Sequence, residues 1–567
     1  MMRGMNGESG DIKNRYPSRR SVVYGRKGMV CTSQTLAAQA GLDVLKEGGN
    51  AVDAAICTAI CLTVLEPTSN GLGSDSFALV WAGGKLYGLN GSGPAPARLT
   101  PEVFRKMGCS EMPGRGWETV MVPGAVSSWA ELHRRFGRLP FRRLFDAAIG
   151  YARDGYPVQP VCAHLWQQAE RVLQPFFRGD AGDDAAATEN IGIPEPNATC
   201  SNTPGQDSLY RPLYDLFFRD GAPKAGDTVR LPELADTLEE LAETGCESFY
   251  RGELAEKICA YAEKSGGYLS KEDLAAYRAT WVEPVSVRYR GVDVYEIPPN
   301  GQGLVVLMAL NILENFTMER QDEETIHIQL EAMKKAFIDG KTYIADPSCM
   351  RGRTEKLLDP EYGRRRAEEI RREAVVPPPL DLDSGGTVYL CTADEEGNMV
   401  SFIQSNFFDF GSGVVVPDTG ICLNNRGNNF SLDPDHANCL APGKKPYHTI
   451  IPGFLMKDGE PIGPFGVMGA FMQPQGQVQV VADLLDWGLD PQEALDAPRW
   501  QWVGGLDIQV EEGFPMDVVE QLRQRGHKVT VLSDFTTFGR GQMILRRKDG
   551  TLTGATEPRA DGVVAAW

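Results

Sequence analysis

The segment from Asp383 to Ser405 constrains the chain most, because it predicts two adjacent buried strands joined by a short acidic turn. Val388 to Ala393 and Met399 to Ile403 are apolar runs of strand length, and the turn between them is rich in Asp, Glu and Gly. Such a turn between two apolar runs is typical of a β-hairpin, with Gly397 at positive φ. The sequence therefore predicts a buried hairpin.

The residues just before this hairpin suggest a reactive threonine. Ser384-Gly385-Gly386 is small and flexible and leads directly into Thr387. Such a backbone can bend over the hydroxyl, so that Thr387 Oγ1 attacks the Gly386 carbonyl and cuts the chain. The amine freed at Thr387 would then act as general base for the same hydroxyl. A Gly-Gly-Thr sequence also occurs at ordinary loop-to-strand junctions, so this hypothesis needs support from the rest of the chain.

Composition and charge indicate a globular protein and exclude some classes of partner. The 567 residues are 42% hydrophobic and 23% charged, which is typical of one large α/β body or more than one core. The formal net charge is −19, and no basic stripe offsets it. Nucleic acid and anionic membranes are therefore not expected as partners.

The sequence also gives expectations about compartment and metals. Residues 1–20 are polar without the apolar core of a signal peptide, so we expect a cytoplasmic protein with a disordered leader at 1–27. The twelve cysteines lack metal-ligand spacing and are expected to be reduced thiols. The six histidines show no ligand spacing either, so no metal and no organic cofactor are expected. Residues 178–210 have the composition of a poorly ordered surface insertion.

Helical and strand patterns alternate along the rest of the chain, which predicts the α/β class. Ala51 to Leu65 is apolar nearly all round and is therefore predicted to be a buried helix. Leu231 to Glu243 and Gly252 to Ser265 have the apolar spacing of amphipathic helices.

A series of segments resembles the γ-glutamyltranspeptidase family, in the same order along the chain. They are Gly48-Gly-Asn-Ala-Val-Asp-Ala-Ala55, Val122-Pro-Gly-Ala125, Arg153-Asp-Gly155, Pro298-Pro-Asn-Gly-Gln-Gly303, Phe410-Gly-Ser-Gly413 and Leu423-Asn-Asn425. The resemblance runs from residue 28 to the C-terminus. It implies the four-layer α/β/β/α sandwich of N-terminal-nucleophile hydrolases. It also implies a cut between Gly386 and Thr387, which gives a large subunit 28–386 and a small subunit 387–567 intertwined in one domain, with a dimer of these left open.

The resemblance assigns roles to several positions. Thr387 matches the catalytic nucleophile, and Ser405 stands where the family has a supporting Thr. Gly469 and Ala470 match the oxyanion hole, where backbone N–H groups do the work. His448 and Thr449 stand where transpeptidases have two substrate-binding Ser residues, although His448 is as readily explained as a packed loop residue.

Departures from the family pattern concern the substrate head group. Ser92 replaces the Arg that holds the glutamyl α-carboxylate, and Asn429 replaces the Asp that holds the α-amino group. Arg426 replaces a Gln in the same loop, and Phe407 replaces an Asn. A guanidinium here would favour a carboxylate and repel an ammonium. The alternative is that Arg426 pairs with a nearby acid, Asp433 or Asp435, and never meets substrate.

The sequence therefore predicts an autoprocessed threonine amidohydrolase or acyltransferase that works through an acyl-enzyme. Three alternatives remain open at this point. The first is glutathione hydrolysis and γ-glutamyl transfer proper. The second is an acylase for amides that carry a carboxylate. The third is an unprocessed homologue that binds without catalysis.

Overall fold

The computed structural model describes residues 20–178, 209–350, 352–378, 382 and 385–567. Its strands are β1 Val23–Gly25, β2 Gly28–Thr32, β3 Asp75–Ala82, β4 Lys85–Gly91, β5 Tyr156–Pro157, β6 Thr228–Val229, β7 Thr280–Val282, β8 Val285–Tyr289, β9 Val292–Glu296, β10 Gly386–Asp394, β11 Met399–Phe407, β12 Val415–Val416, β13 Ile421–Cys422, β14 Gly453–Lys457, β15 Glu460–Met468, β16 Trp500–Gly504, β17 Asp507–Glu511, β18 Lys528–Leu532, β19 Arg540–Arg546, β20 Leu552–Thr556 and β21 Val563–Ala566. Its α-helices are α1 Thr35–Lys46, α2 Ala51–Leu65, α3 Pro101–Met107, α4 Ala125–Phe136, α5 Asp146–Asp154, α6 Pro160–Arg178, α7 Arg211–Phe217, α8 Pro232–Thr244, α9 Glu247–Arg251, α10 Glu253–Ser265, α11 Lys271–Ala276, α12 Gly303–Leu313, α13 Glu323–Tyr343, α14 Thr354–Leu357, α15 Pro360–Glu368, α16 Met472–Leu485, α17 Pro491–Asp496 and α18 Met516–Gln524.

Two antiparallel sheets of seven strands form the centre of the molecule. The first has the order β1-β20-β19-β15-β14-β9-β8, and the second has the order β21-β2-β10-β11-β3-β4-β7. The predicted hairpin is confirmed as β10 and β11, which lie in the middle of the second sheet. The turn between them has Gly397 at a φ of 87°.

Strand β10 shows how the layers are stacked, because its side chains alternate between two cores. Tyr389 and Cys391 point into a core shared with the first sheet, beside Phe454. Val388 and Leu390 point the other way, into a core shared with helices such as α2. All nine residues of β10 are buried.

Helices cover the outer face of each sheet. All fifteen residues of α2 are buried, as its continuous apolar sequence predicts. On the far side, α12, α13 and α16 share a core with strands of the first sheet. The predicted α/β/β/α sandwich is therefore confirmed.

The structure bears on the expectations about the leader, the insertion and the cysteines. Residues 1–19 of the predicted leader lie outside the described residues, but Val23–Gly25 form β1 and pair with β20, so disorder is wrong for them. The predicted insertion falls almost wholly outside the described residues. Among the residues that the structure describes, ten cysteines are free thiols and Cys109 is disulfide-bonded, so the expectation of reduced thiols is wrong for Cys109. In the described part of the chain, no helix is long and apolar enough to cross a membrane.

Candidate active site

The Gly386–Thr387 junction lies at the buried start of β10, and Thr387 is 1% exposed. Gly386 is paired with Phe407 of β11, and the register shifts between Gly386 and Val388. This irregularity is a β-bulge, which re-aims a side chain next to a strand end. The Thr387 hydroxyl lies 2.8 Å from the Gly386 carbonyl oxygen of the peptide bond that precedes it.

Ser405 contacts both reacting groups of this junction. Thr387 Oγ1 donates to Ser405 Oγ at 3.2 Å, and Ser405 Oγ donates to the Gly386 oxygen at 2.8 Å. The backbone N–H of Phe407 also donates to Ser405 Oγ at 2.8 Å. A proton can therefore move from the threonine hydroxyl towards Ser405 while Ser405 polarises the carbonyl.

The turn after β15 lies against the same junction. Gly469 and Ala470 have φ of 133° and 48°, and among the described residues their N–H groups have no backbone acceptor. Gln473, in the first turn of α16, donates from Nε2 to Thr387 Oγ1 at 3.5 Å. A Cβ atom built on Gly385 would lie 3.5 Å from the Ala470 Cβ, so this turn borders the scissile segment. Two free N–H groups beside a nucleophile have the character of an oxyanion site.

A second cluster is built around Asp75 at the start of β3. Asp75 Oδ2 accepts from Arg426 Nε at 3.3 Å and from His448 Nε2 at 3.1 Å. Arg426 Nη1 donates to Thr449 Oγ1 at 2.7 Å. All four side chains are fully buried. The pairing of Arg426 with Asp433 or Asp435 is therefore wrong, and both of those acids are exposed.

Burial sets the charge of this cluster. Desolvation, with the nearby Arg426 charge, lowers the pKa of His448 to about 3, so His448 is neutral and its bond to Asp75 is an ordinary hydrogen bond. Desolvation lowers the pKa of Arg426 to about 10 against the opposing effect of Asp75, so Arg426 stays charged. Arg426 and Asp75 therefore form a buried ion pair.

The Asp75 cluster adjoins the Thr387 junction through Phe407. The Arg426 guanidinium carbon lies 4.6 Å from the centre of the Phe407 ring, and Phe407 has a φ of 85°. Phe407 is also the strand partner of Gly386. Its side chain therefore contacts Arg426 while its backbone lies opposite the residue before the scissile bond. The two clusters can therefore serve one substrate.

The short helix that carries Arg426 holds two buried donors without partners. Arg426 Nη2 and Asn429 Nδ2 are buried and have no hydrogen-bond partner in the described part of the protein. Both belong to the short 3-10 helix Arg426–Asn429. An unpaired buried donor costs about 1–3 kcal/mol, which a ligand that accepts the hydrogen bond can recover.

Ser92 lies beside the Asp75 cluster without touching Arg426. Ser92 Oγ donates to Asn90 Oδ1 at 2.7 Å, and the N–H of the next residue, Gly93, donates to Asp75 Oδ1 at 3.4 Å. Lys445 Nζ donates to the same Asn90 oxygen at 3.2 Å. Burial lowers the pKa of Lys445 to about 8, with Asp346 and Asp75 opposing it.

Sequence reasoning missed three contributors: Asp75, Gln473 and Lys445. Asp75 follows a Gly-rich segment, Asn70-Gly-Leu-Gly-Ser74, and Lys445 lies in a polar loop segment, so neither residue has a local pattern that marks it as functional. Asp75 meets Arg426 across 351 positions of chain, which no local pattern can reveal. Gln473 stands three residues beyond the Ala470 position, so the assignment of the oxyanion turn could have led to it.

The fold and this site define an N-terminal-nucleophile hydrolase. The profile of the gamma-glutamyltranspeptidase family matches residues 37–567. The glutathione hydrolase-like YwrD proenzyme of Bacillus subtilis is 37% identical over 556 residues, which cover 95% of this chain and 98% of that protein. The oxamate amidohydrolase proenzyme of Klebsiella pneumoniae is 35% identical over 554 residues, with 95% and 98% covered. The cephalosporin acylase of Bacillus halodurans has a crystal structure that matches with a TM-score of 0.89 at 53% identity, over 99% of each chain. The chain belongs to the γ-glutamyltranspeptidase family and is a hydrolase of amide bonds.

Proposed function

We propose that the protein cuts its own chain at Gly386–Thr387 and then hydrolyses amides whose acyl group bears a carboxylate and no α-amine. The substrate class is inferred from Arg426, which is buried and charged. Its Nη2 has no hydrogen-bond partner among the described residues, and its guanidinium packs on Phe407, the strand partner of Gly386. The short distances among Thr387, Ser405 and Gly386 support the self-cleavage.

Self-cleavage uses the bonds already described. Thr387 Oγ1 attacks the Gly386 carbonyl carbon while Ser405 Oγ donates to the carbonyl oxygen, and the hydroxyl proton ends on the Thr387 nitrogen, which leaves as the amine. The C–N bond breaks and an ester joins Gly386 to Thr387 Oγ1. Water hydrolyses this ester, which leaves a carboxylate on Gly386 and a free amine on Thr387.

The mature enzyme repeats the same chemistry on an external amide. The Thr387 amine takes the proton from Oγ1, and the hydroxyl attacks the substrate carbonyl. The N–H groups of Gly469 and Ala470 stabilise the oxyanion, and the leaving amine departs with the proton. Water then attacks the acyl-enzyme and releases the acid.

Charge in the substrate pocket favours an anion. Arg426 is buried and positive and Asp75 is buried and negative, while the half-buried Lys445 adds a second positive charge and the half-buried Asp346 accepts the Lys445 backbone N–H. A substrate carboxylate can accept from Arg426 Nη2 and Asn429 Nδ2, whereas the guanidinium of Arg426 offers an ammonium no acceptor and repels it. One relative is an oxamate amidohydrolase, and oxamate is an amide that carries a carboxylate.

The test compares glutaryl-p-nitroanilide with γ-glutamyl-p-nitroanilide, which differ only by the α-amine. Wild type should hydrolyse the glutaryl compound with the higher kcat/KM. Asn429→Asp keeps the size of the side chain but removes a donor and adds a negative charge. It should lower kcat/KM for the glutaryl compound about 10- to 100-fold, because a charge-assisted hydrogen bond is worth about 1.5–3 kcal/mol.

Asn429→Gln is the matched control, since it keeps the amide and the neutral charge. A clear preference of wild type for the γ-glutamyl compound would overturn the substrate class and favour glutathione hydrolysis. A denaturing gel that shows one intact band would instead overturn the self-cleavage.

A further inference from the structure

A second polar cluster lies between α13 and the segment that enters β18. His327 and Glu331 stand four residues apart on α13 and so share one face of the helix. His527 immediately precedes β18 and lies against them. One possible ligand atom from each of the three residues lies within 4.8 Å of the others, and all three are buried. The cluster shares no residue with the Thr387 site.

Hydrogen bonds fix the orientation of the first histidine. His327 Nε2 lies 2.8 Å from the Arg371 carbonyl oxygen, to which only a protonated nitrogen can donate. His327 Nδ1 therefore carries the lone pair and faces His527 Nε2 at 2.8 Å. In metal-ligating histidines the ring nitrogen that does not bind the ion commonly donates to a backbone carbonyl, which fixes the tautomer and the orientation of the ring.

The other two residues each keep an atom available. His527 is 3% exposed, and its Nδ1 has no partner among the described residues, so the ring proton can lie on Nδ1 and leave the Nε2 lone pair for an ion. Lys334 Nζ and the Val375 N–H both donate to Glu331 Oε1, which leaves Oε2 of that carboxylate for another ligand.

We propose that His327, Glu331 and His527 bind one divalent transition-metal ion of the Zn²⁺ type. Two imidazoles and a carboxylate are ligands that Zn²⁺ accepts, with a water molecule as the fourth. Two nitrogens bound to one tetrahedral ion lie about 3.4 Å apart, so the rings separate by roughly half an ångström on binding. Helix α13 precedes Thr387 in the chain and His527 follows it. The ion would therefore link the large and small subunits that cleavage at Gly386–Thr387 produces.

The experiment measures metal content of the full-length protein. Protein stripped with a chelator is incubated with Zn²⁺, passed through a desalting column and analysed by mass spectrometry of the metal. We expect one Zn²⁺ per chain in wild type and a higher Tm than for the stripped protein. Co²⁺ in place of Zn²⁺ should give visible absorption bands of a low-coordinate site.

Variants assign the ion to the cluster. His527→Gln and His327→Gln should lose the bound ion and the Co²⁺ bands, whereas His164→Gln, which changes an exposed histidine elsewhere, should keep both. Absence of retained Zn²⁺ in wild type would show that the histidines share only a proton and would overturn the proposal. Retention in both cluster variants would overturn it equally, since the ion would then lie elsewhere. If a variant fails to fold, the wild-type result decides.

Discussion

Ser405 is the residue whose hydroxyl touches both partners of the self-cleavage reaction. It accepts from Thr387 Oγ1 and donates to the Gly386 oxygen. Ser405→Ala removes the donor that stabilises the developing oxyanion, so we expect processing to slow by about 100-fold. Ser405→Thr keeps the hydroxyl and serves as the control, and Thr387→Ala should remain a single chain. The measurement is the rate at which two fragments appear on a denaturing gel, and unchanged processing in Ser405→Ala would remove Ser405 from the mechanism.

Lys445 should make carboxylate binding depend on pH near 8. Its pKa of about 8 means that it is charged at pH 7 and largely neutral at pH 9. Arg426, with a pKa of about 10, stays charged over this range. The ratio of kcat/KM for glutaryl-p-nitroanilide to that for a neutral valeryl-p-nitroanilide should therefore fall as pH rises, by up to about tenfold between pH 7 and 9.

Taking a ratio of two substrates cancels the titration of the Thr387 amine, which acts on both. Lys445→Met should flatten the profile at the low value, and Lys445→Arg should flatten it at the high value. A ratio that stays constant in wild type would exclude Lys445 from substrate binding.

The sequence predicts Thr387 but not the ion-pair partner of Arg426. Thr387 and the hairpin behind it follow from contacts within about twenty residues, which local apolar patterns encode. The ion partner of Arg426 does not, because Asp75 lies 351 positions away and is brought near only when β3 pairs with β11. Sequence proximity suggested Asp433 or Asp435 instead, and both are exposed.

At the scale of elements, the segment that enters β10 depends on a glycine without a side chain. A Cβ atom on Gly385 would lie 2.6 Å from the Phe407 carbonyl oxygen, which is closer than real contacts allow. Gly385→Ala should therefore displace the scissile segment and slow processing about tenfold or more, since small misplacements of reacting atoms are costly.

Gly150→Ala is the matched control, because Gly150 lies inside α5 with open space where a Cβ would stand. It should leave processing unchanged and raise the free energy of unfolding by up to about 1 kcal/mol. Equal processing rates in the two variants would show that the approach of Gly385 to β11 does not position the junction.

The element boundaries were predictable where one periodicity dominated. Helix α2 matches its prediction residue for residue, because a fifteen-residue run that is apolar nearly all round favours a fully buried helix. The sequence from Gln475 to Leu485 favours neither a helix nor a strand, and in the structure it belongs to α16, Met472–Leu485. Its buried glutamines weaken the apolar pattern, and their amides bond to neighbouring loops, as Gln477 does to the Ile451 carbonyl.

At the scale of the molecule, both sheets are assembled from strands on either side of Thr387. Strand β10 pairs with β2, β11 pairs with β3, and β14 pairs with β9, so each sheet contains ladders that cross the predicted cut. Cleavage of one peptide bond removes none of these ladders and none of the shared core.

We therefore expect the two fragments to elute together on native size exclusion, at a mass no smaller than the 62.1 kDa of the chain. They should separate only in denaturant, with a single cooperative unfolding transition before and after processing. Fragments that elute apart under native conditions would show that the two sheets do not hold the processed chain together.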